Sequence, residues 1–363
     1  MDLKTRLFNM ELANPVMPAS GPLTGDDKKM LFIANQGVGA MVTKTISIRA
    51  AKVPRPCIIS GNNYVINAEL WSEFDYKKWL DEFLPSFRKE KDSPLIVSLG
   101  YTVDDLKFLV PKFSEFADAF ELSTHYVAND PELMSELIKT VKSKTDKPVI
   151  IKFDPSVEEP GKMAQVIEKA GGDGIAAINS LGPVYFLDLD EQRSPLGSED
   201  GFGWISGPVI KLLSLATVRK IASNCNLPVI GIGGIISAKD VLEYLMAGAT
   251  AVQLLSGALI RGKSIYKKII SDLPSEMEKH GIISIKEIIG VSTKNNIEAS
   301  YTKNTPVIDH ERCTLCGLCV DACPYYALEI KDKKVEVNEG DCFGCGLCQT
   351  RCPVKAIGGV LFE

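Results

Sequence analysis

A chain of 363 residues, 45% hydrophobic and 24% charged, has the make-up of a soluble globular protein with one large domain, or one large and one small. A formal charge of −5 and the lack of a basic run give no reason to expect nucleic acid. No window approaches roughly 18 uncharged apolar residues, and "MDLKTRLFNMELANP" has no apolar stretch behind its charges; neither a membrane span nor a secretory signal is expected, and the cytoplasm is the default compartment.

Eight short apolar runs follow in order: "PVMPAS" (15–20), "GAMVTK" (39–44), "PLIVSLG" (94–100), "AFELSTH" (119–125), "PVIIKF" (148–153), "GIAAINS" (174–180), "PVIGIGG" (228–234) and "ATAVQLL" (249–255). Helical periodicity fills most intervals, as in "DPELMSELIKTVKSK" and in "MAQVIEKAGG" with its helix-stopping glycines. Long insertions at 46–70 and 181–206 leave the order unchanged. Near-continuous apolar strands alternating with helices imply a covered parallel sheet. Eight units fit an α/β (β/α)8 TIM barrel better than a Rossmann sheet, whose G-x-G-x-x-G marker follows none of the strands.

In such a barrel, function sits at the carboxyl ends of the strands. That rule gathers Ala19, Ser20, Lys44, Thr45, Ser98, Ser123, His125, Lys152, Asn179, Ser180, Gly233, Gly234 and Ser256 at one mouth. A single lysine there often only reaches out to water; two, opposite Asn179 and glycine turns, favour an anionic, ring-shaped ligand. "GIGG" after strand seven and "LLSG" after strand eight fall where barrels build phosphate sites from backbone N–H groups, although glycine also serves simply to turn the chain.

Eight of the ten cysteines lie between Cys313 and Cys352, in "CTLCGLCVDACP" and "CFGCGLCQTRCP". Each segment reads C-x2-C-x2-C-x3-C-P, and the two align without a gap, so the tail is an internal duplication. In this pattern three cysteines wrap one cluster and the fourth ligates the other. Cys313, Cys316, Cys319 and Cys352 are therefore expected to hold one [4Fe–4S] cluster, and Cys342, Cys345, Cys348 and Cys323 the second. Zinc ribbons use separated C-x2-C pairs instead. The tail resembles bacterial two-cluster ferredoxins, a small α+β fold, with a hairpin in "ALEIKDKKVEVNEGDC". Two clusters conduct single electrons, so the barrel is expected to hold a centre that also handles electron pairs. Flavin does both, and its phosphate suits the glycine turns. These readings divide the chain into a barrel (1–293), a linker (294–306) and a ferredoxin domain (307–363).

"NPVMPASGP" at strand one, "KTISIRAAKVPRP" after strand two, "INS" at strand six, "GFGWISGP" and "GIGG" resemble the dihydroorotate dehydrogenases and the related flavin domain of dihydropyrimidine dehydrogenases. The resemblance covers residues 1 to about 285 and implies FMN across the barrel mouth. It implies FMN contacts from Ala19, Ser20, Lys44, Thr45 and Ser98, Lys152 near the N1/C2 edge, and a phosphate held by Gly207, Gly233, Gly234, Leu255 and Ser256. Asn67, Asn179 and Ser180 match substrate-binding positions, joined by Ser123 and Glu69.

The family's Asn-x-Ser-Cys-Pro after strand four is here "STHYV": Ser123 stands for the asparagine, His125 for the serine, Tyr126 for the cysteine and Val127 for the proline. The loop that follows is short, and Ala68, Glu69, Leu70 and Trp71 replace a glycine-containing turn after Asn67. His125 or Tyr126 is expected to transfer the proton, with Glu69 as a third candidate and Lys44 also in the catalytic set. The alternative is that His125 hydrogen-bonds flavin or backbone and Tyr126 packs under the loop. The leading expectation is an FMN- and iron–sulfur-dependent oxidoreductase acting on a C–C or C–N double bond of a small ring. Its electron partner would be ferredoxin or an NAD(P)H/FAD-bearing subunit, and a homodimer is expected. An electron-transfer subunit without a small substrate ranks second, and a true dihydroorotate dehydrogenase third.

Overall fold

The computed structural model describes residues 1–124, 129–295 and 298–361, and the chain divides into two compact units, Met1–Asn296 and Ile297–Glu363. In the first, strands β1 (Val16–Pro18), β2 (Met41–Val42), β3 (Leu95–Leu99), β4 (Ala119–Ser123), β5 (Val149–Phe153), β6 (Gly174–Ala177), β7 (Val229–Ile232) and β8 (Ala249–Leu254) form one sheet. The order is β1-β8-β7-β6-β5-β4-β3-β2, and each paired neighbour runs parallel. Where β1 meets β2 the Gly39 N–H donates to the Val16 carbonyl at 2.8 Å, which nearly closes the ring. All eight strands expected from the apolar runs are present, within a TIM-like barrel.

Strand parity explains why these runs are apolar throughout. Met17, Ala40, Val42, Ile96, Ala119, Ile150, Ala176, Ile230 and Ala251 point inward and pack together. Their neighbours Val16, Met41, Val97, Phe120, Ile151, Ile175, Val229 and Val252 point outward, under the helices. Capping signals start those helices where the sequence places them: Thr102 and Asp105 form a capping box before Val103–Phe113, and Asp130 accepts two first-turn N–H bonds before Pro131–Lys142. A hairpin of Thr5–Leu7 and Met10–Leu12 closes the amino-terminal end, adding Leu7, Met10 and Leu12 to the interior cluster.

The two insertions pair with each other. Leu181–Tyr185, Phe202–Ser206, Val65–Asn67 and Ile58–Ser60 form an antiparallel four-stranded sheet in that order. The register Asn67↔Trp204 joins positions far apart in the chain, which is why local patterning does not reveal it.

In the second unit, Leu328–Lys331 and Lys334–Val337 form the expected hairpin, with Asp332 and Lys333 both at positive φ in its turn. Val307–Ile308 pairs with Ile357–Gly358, and Cys319, Leu328, Val335 and Ile357 form a small core. Positive φ recurs at equivalent positions of the two cysteine repeats, at Leu315 and Gly344, Gly317 and Gly346, and Tyr326 and Lys355, so the duplication extends to the backbone. Among the described residues no helix is long and apolar enough to cross a membrane.

The barrel seam is the sensitive point of the closure. A Cβ on Gly39 would lie 2.1 Å from the Asn14 carbonyl oxygen. Gly39→Ala is expected to destabilise the barrel by about 1–3 kcal/mol through overpacking, read as a lower urea midpoint.

Candidate active site and cysteine cavities

The inward parity that carries apolar residues through the barrel ends, at the carboxyl face, in polar ones. Ser98 from β3, Glu121 and Ser123 from β4, Lys152 from β5 and Gln253 from β8 form the top layer, all at most 9% exposed. Above it lies a cavity of about 270 Å³, walled on the other side by Ile58, Val65, Asn67, Trp204 and Ser206 of the cap sheet or its ends.

Each described barrel residue expected at the site borders this cavity: Ala19, Ser20, Lys44, Thr45, Asn67, Glu69, Ser98, Ser123, Lys152, Asn179, Ser180, Gly207, Gly233, Gly234, Leu255 and Ser256. His125 and Tyr126 lie outside the described residues.

Hydroxyls link the ends of β1, β2 and β3: Ser20 Oγ lies 3.0 Å from Thr45 Oγ1, which lies 3.0 Å from Ser98 Oγ. On the floor, Lys152 Nζ donates to Glu121 Oε1 and to Gln253 Oε1, each at 3.2 Å, and Gln253 Nε2 donates to Glu121 Oε2 at 2.7 Å. Lys44, 2% exposed, donates to Glu69 Oε2 at 3.0 Å and Glu73 Oε2 at 2.8 Å. Burial opposes ionisation of Glu73, but its Lys44 hydrogen bond, its own backbone N–H and the lysine charge together hold the carboxyl below its ordinary value of 4.5. The Cys57 Sγ lies 3.6 Å from Glu69 Oε1, and burial, then this carboxylate, push the thiol up.

Asn67 is held by its amide, which donates to the Trp204 carbonyl at 3.1 Å, and its Oδ1 accepts the Glu69 N–H at 3.3 Å. Asn179 Oδ1 accepts the Ser180 N–H at 2.9 Å. At the far end, Gly207, Gly233 and Gly234 all have positive φ. A Cβ on Gly234 would lie 2.9 Å from the Gly207 carbonyl oxygen, so the turns pack backbone against backbone. The Gly233 turn is tied from behind by the Tyr244 hydroxyl, which donates to its carbonyl at 2.6 Å, and Ser256 Oγ lies 2.6 Å from Ser206 Oγ. Burial keeps the Tyr244 phenol protonated well above its ordinary range.

Strand-end patterning does not single out Glu121, Gln253, Glu73, Trp204 or Ser206. A signal exists for the first two: each sets a long polar side chain at inward parity two residues after an inward alanine, Ala119 or Ala251. Glu73, Trp204 and Ser206 reach the site only through the cap and its loops. Cys57 and Cys225, the two cysteines outside the repeats, are both only partly buried.

In the second unit, Cys313, Cys316, Cys319 and Cys352 line one cavity with Ile308, Leu318, Val335 and Ile357. Cys323, Cys342, Cys345 and Cys348 line another with Pro306, Tyr325, Leu328 and Phe343. Each cavity thus takes its fourth thiol from the other repeat. Backbone N–H groups point at two of these sulfurs, Ala327 to Cys323 Sγ at 3.4 Å and Ala356 to Cys352 Sγ at 3.1 Å. Among the described residues no three His, Cys, Asp or Glu side chains converge on one point closely enough for a single metal ion.

The family model for dihydroorotate dehydrogenase matches residues 2–277. The chain belongs to the dihydroorotate dehydrogenase family. Residues 291–356 match the model for a 4Fe-4S dicluster domain. The chain is 36% identical to the dihydroorotate dehydrogenase B (NAD(+)) catalytic subunit of Pyrococcus abyssi over 304 residues, 80% of this chain and 99% of that protein. The subunits so named from Pyrococcus furiosus and Methanocaldococcus jannaschii are 35% and 30% identical, covering 81% and 80% of this chain and 100% and 98% of their own lengths. About a fifth of this chain therefore extends beyond these relatives. As a member of this family the chain is an enzyme, an oxidoreductase acting on CH–CH groups, with an iron–sulfur domain attached.

The Lys44–Glu73 pair gives a pH signature. A carboxyl held below 4.5 in the folded state adds stability above 4.5, and that contribution is lost as pH falls through the lower folded value. Between pH 6 and pH 3.5 the wild-type urea midpoint is expected to fall further than that of Glu73→Gln; equal slopes would remove the assignment.

Proposed function

We propose that this chain interconverts dihydroorotate and orotate on a bound FMN and passes the electrons through two [4Fe–4S] clusters in its own C-terminal unit. The observation that carries this reading is the polar cavity at the barrel mouth, in a barrel matched end to end by catalytic subunits of dihydroorotate dehydrogenase B. The third-ranked expectation from sequence thereby becomes the first. An electron relay without a small substrate has no need of a cavity lined by Asn67, Ser123, Asn179 and Ser180.

The residues suit FMN. The turns at Gly207, Gly233 and Gly234, with Leu255 and Ser256, supply a phosphate cradle. Ala19, Ser20, Thr45 and Ser98 offer backbone and hydroxyl groups for the ring, and Lys152 offers a cation from the floor. When bound, FMN takes an electron pair from a CH–CH bond and gives it up singly. Asn67, Asn179, Ser180 and Ser123 orient the substrate ring, Lys44 supplies positive charge beside it, and His125 or Tyr126 carries the proton, an imidazole being matched to transfer near neutral pH. Each cysteine cavity, with four thiols, apolar walls and N–H···S contacts, suits one cubane cluster. Residues 1–293 form the catalytic barrel and 307–363 the relay, with 294–306 between them; Lys303 Nζ donates to the Glu339 carbonyl at 2.7 Å, anchoring the end of that segment within the relay. The electron partner is a ferredoxin-type carrier or an NAD(P)H/FAD-bearing subunit, the active form is a dimer, and the compartment is the cytoplasm.

A second reading is favoured by one observation. Lys44 already faces two carboxylates, Glu69 and Glu73, so a substrate carboxylate would approach a site with surplus negative charge. An uncharged dihydropyrimidine avoids that repulsion. Anaerobic bleaching of the flavin separates the two: faster reduction by dihydroorotate supports the first reading, and reduction by dihydrouracil alone supports the second.

Iron content tests the relay. Purified protein is expected to carry about eight irons per chain, and Cys352→Ala to lose about four while Cys342, Cys345 and Cys348 keep theirs. Loss of all iron, or of none, would contradict the crossed ligation.

A further inference from the structure

The ring of hydrogen bonds on the cavity floor is unusual for its position. The inward layers beneath it are alanine, valine, isoleucine and methionine, yet Glu121 is 1% exposed, Gln253 0% and Lys152 9%. An ion pair taken this far from water contributes little net stability compared with apolar packing, because desolvation offsets the Coulomb attraction. Fold stability is therefore a poor reason for it.

Its chemistry is specific. Glu121 uses one oxygen for Lys152 and the other for Gln253, and the Gln253 amide both donates to that carboxylate and accepts from the ammonium. The three side chains close a triangle that fixes the position of Nζ. An ammonium has three donors, and two are spent on Glu121 and Gln253, leaving the third for the cavity that Lys152 lines. The carboxylate also offsets the lysine charge felt from above.

We infer that Glu121 is a positioning residue that acts through Lys152: it tethers the ammonium under the flavin and attenuates its charge, holding the flavin's affinity for electrons below the value an uncompensated lysine would give. This rests on the reading of the cavity as an FMN site. A lower affinity for electrons suits a chain that must hand each electron on to its own iron–sulfur unit.

Glu121→Gln keeps the shape and removes the charge; Glu121→Asp keeps the charge and shortens the side chain. The probe is sulfite, a nucleophile that adds to oxidised flavin more tightly when positive charge lies nearby. With purified holoenzyme, Glu121→Gln is expected to bind sulfite on the order of tenfold more tightly than wild type. In a two-electron potential that factor corresponds to a rise of about 30 mV. Glu121→Asp is expected to stay close to wild type in both readouts. Tighter sulfite binding in Glu121→Gln alone supports the inference, since mere loosening of the floor moves both variants alike. Unchanged sulfite affinity in Glu121→Gln, or an equal shift in Glu121→Asp, would overturn it. Should Glu121→Gln fail to fold, Glu121→Ala takes its place with the same two outcomes. Wild-type protein that retains no FMN on purification overturns the FMN reading itself, a separate outcome.

Discussion

The alternation of side chains along eight parallel strands governs both halves of the barrel's chemistry. Residues two apart point the same way, so each strand contributes a column of inward side chains. Over most of its height that column meets only other columns and must be apolar and small enough to fill a closed ring. Towards the carboxyl end it meets a cavity instead, and the same parity that demanded Ala119 and Ala251 below admits Glu121 at the cavity and Gln253 bonded to it. Core and site are one continuous pattern with a change of composition at its end.

The cap completes what the barrel leaves open. The barrel's mouth alone would expose its polar layer to water, where ion pairs and hydrogen bonds weaken. The four-stranded sheet built from the two insertions places Asn67, Trp204 and Ser206 across the cavity, and the loop after Asn67 brings Glu69 and Glu73 to Lys44. Two lysines therefore sit in contrasting settings. Lys152 is matched by one carboxylate and an amide; Lys44 faces two carboxylates. That contrast, one lysine matched and the other outnumbered, is the physical root of the two proposed substrate readings.

The C-terminal unit follows a different logic. Its core is only a few residues, and the cysteines themselves form part of it: Cys319 is buried with Leu328, Val335 and Ile357. A unit this small gains little from hydrophobic burial alone. Crossed cavities, each completed by the other repeat, tie the two halves together, so the groups that would carry electrons are also those that would hold the unit folded.

Much of this is determined by the sequence alone. The eight apolar runs, the glycine turns and the gapless cysteine repeat are local patterns, and local patterns report strand parity, turn geometry and ligand spacing directly. Hence Lys44, Lys152, Gly233 and the grouping of Cys352 with Cys313, Cys316 and Cys319 are legible in the order of residues along the chain. Contacts between distant segments are not. The pairing of Val65–Asn67 with Phe202–Ser206, the double engagement of Lys44 and the closed triangle of Glu121, Lys152 and Gln253 join segments separated by up to 141 residues. Such contacts leave no periodic trace in the chain, because what selects them is the space the barrel and its cap enclose. The tertiary structure alone decides which buried charges are balanced and which are not, and the choice between the two proposed substrates rests on that balance.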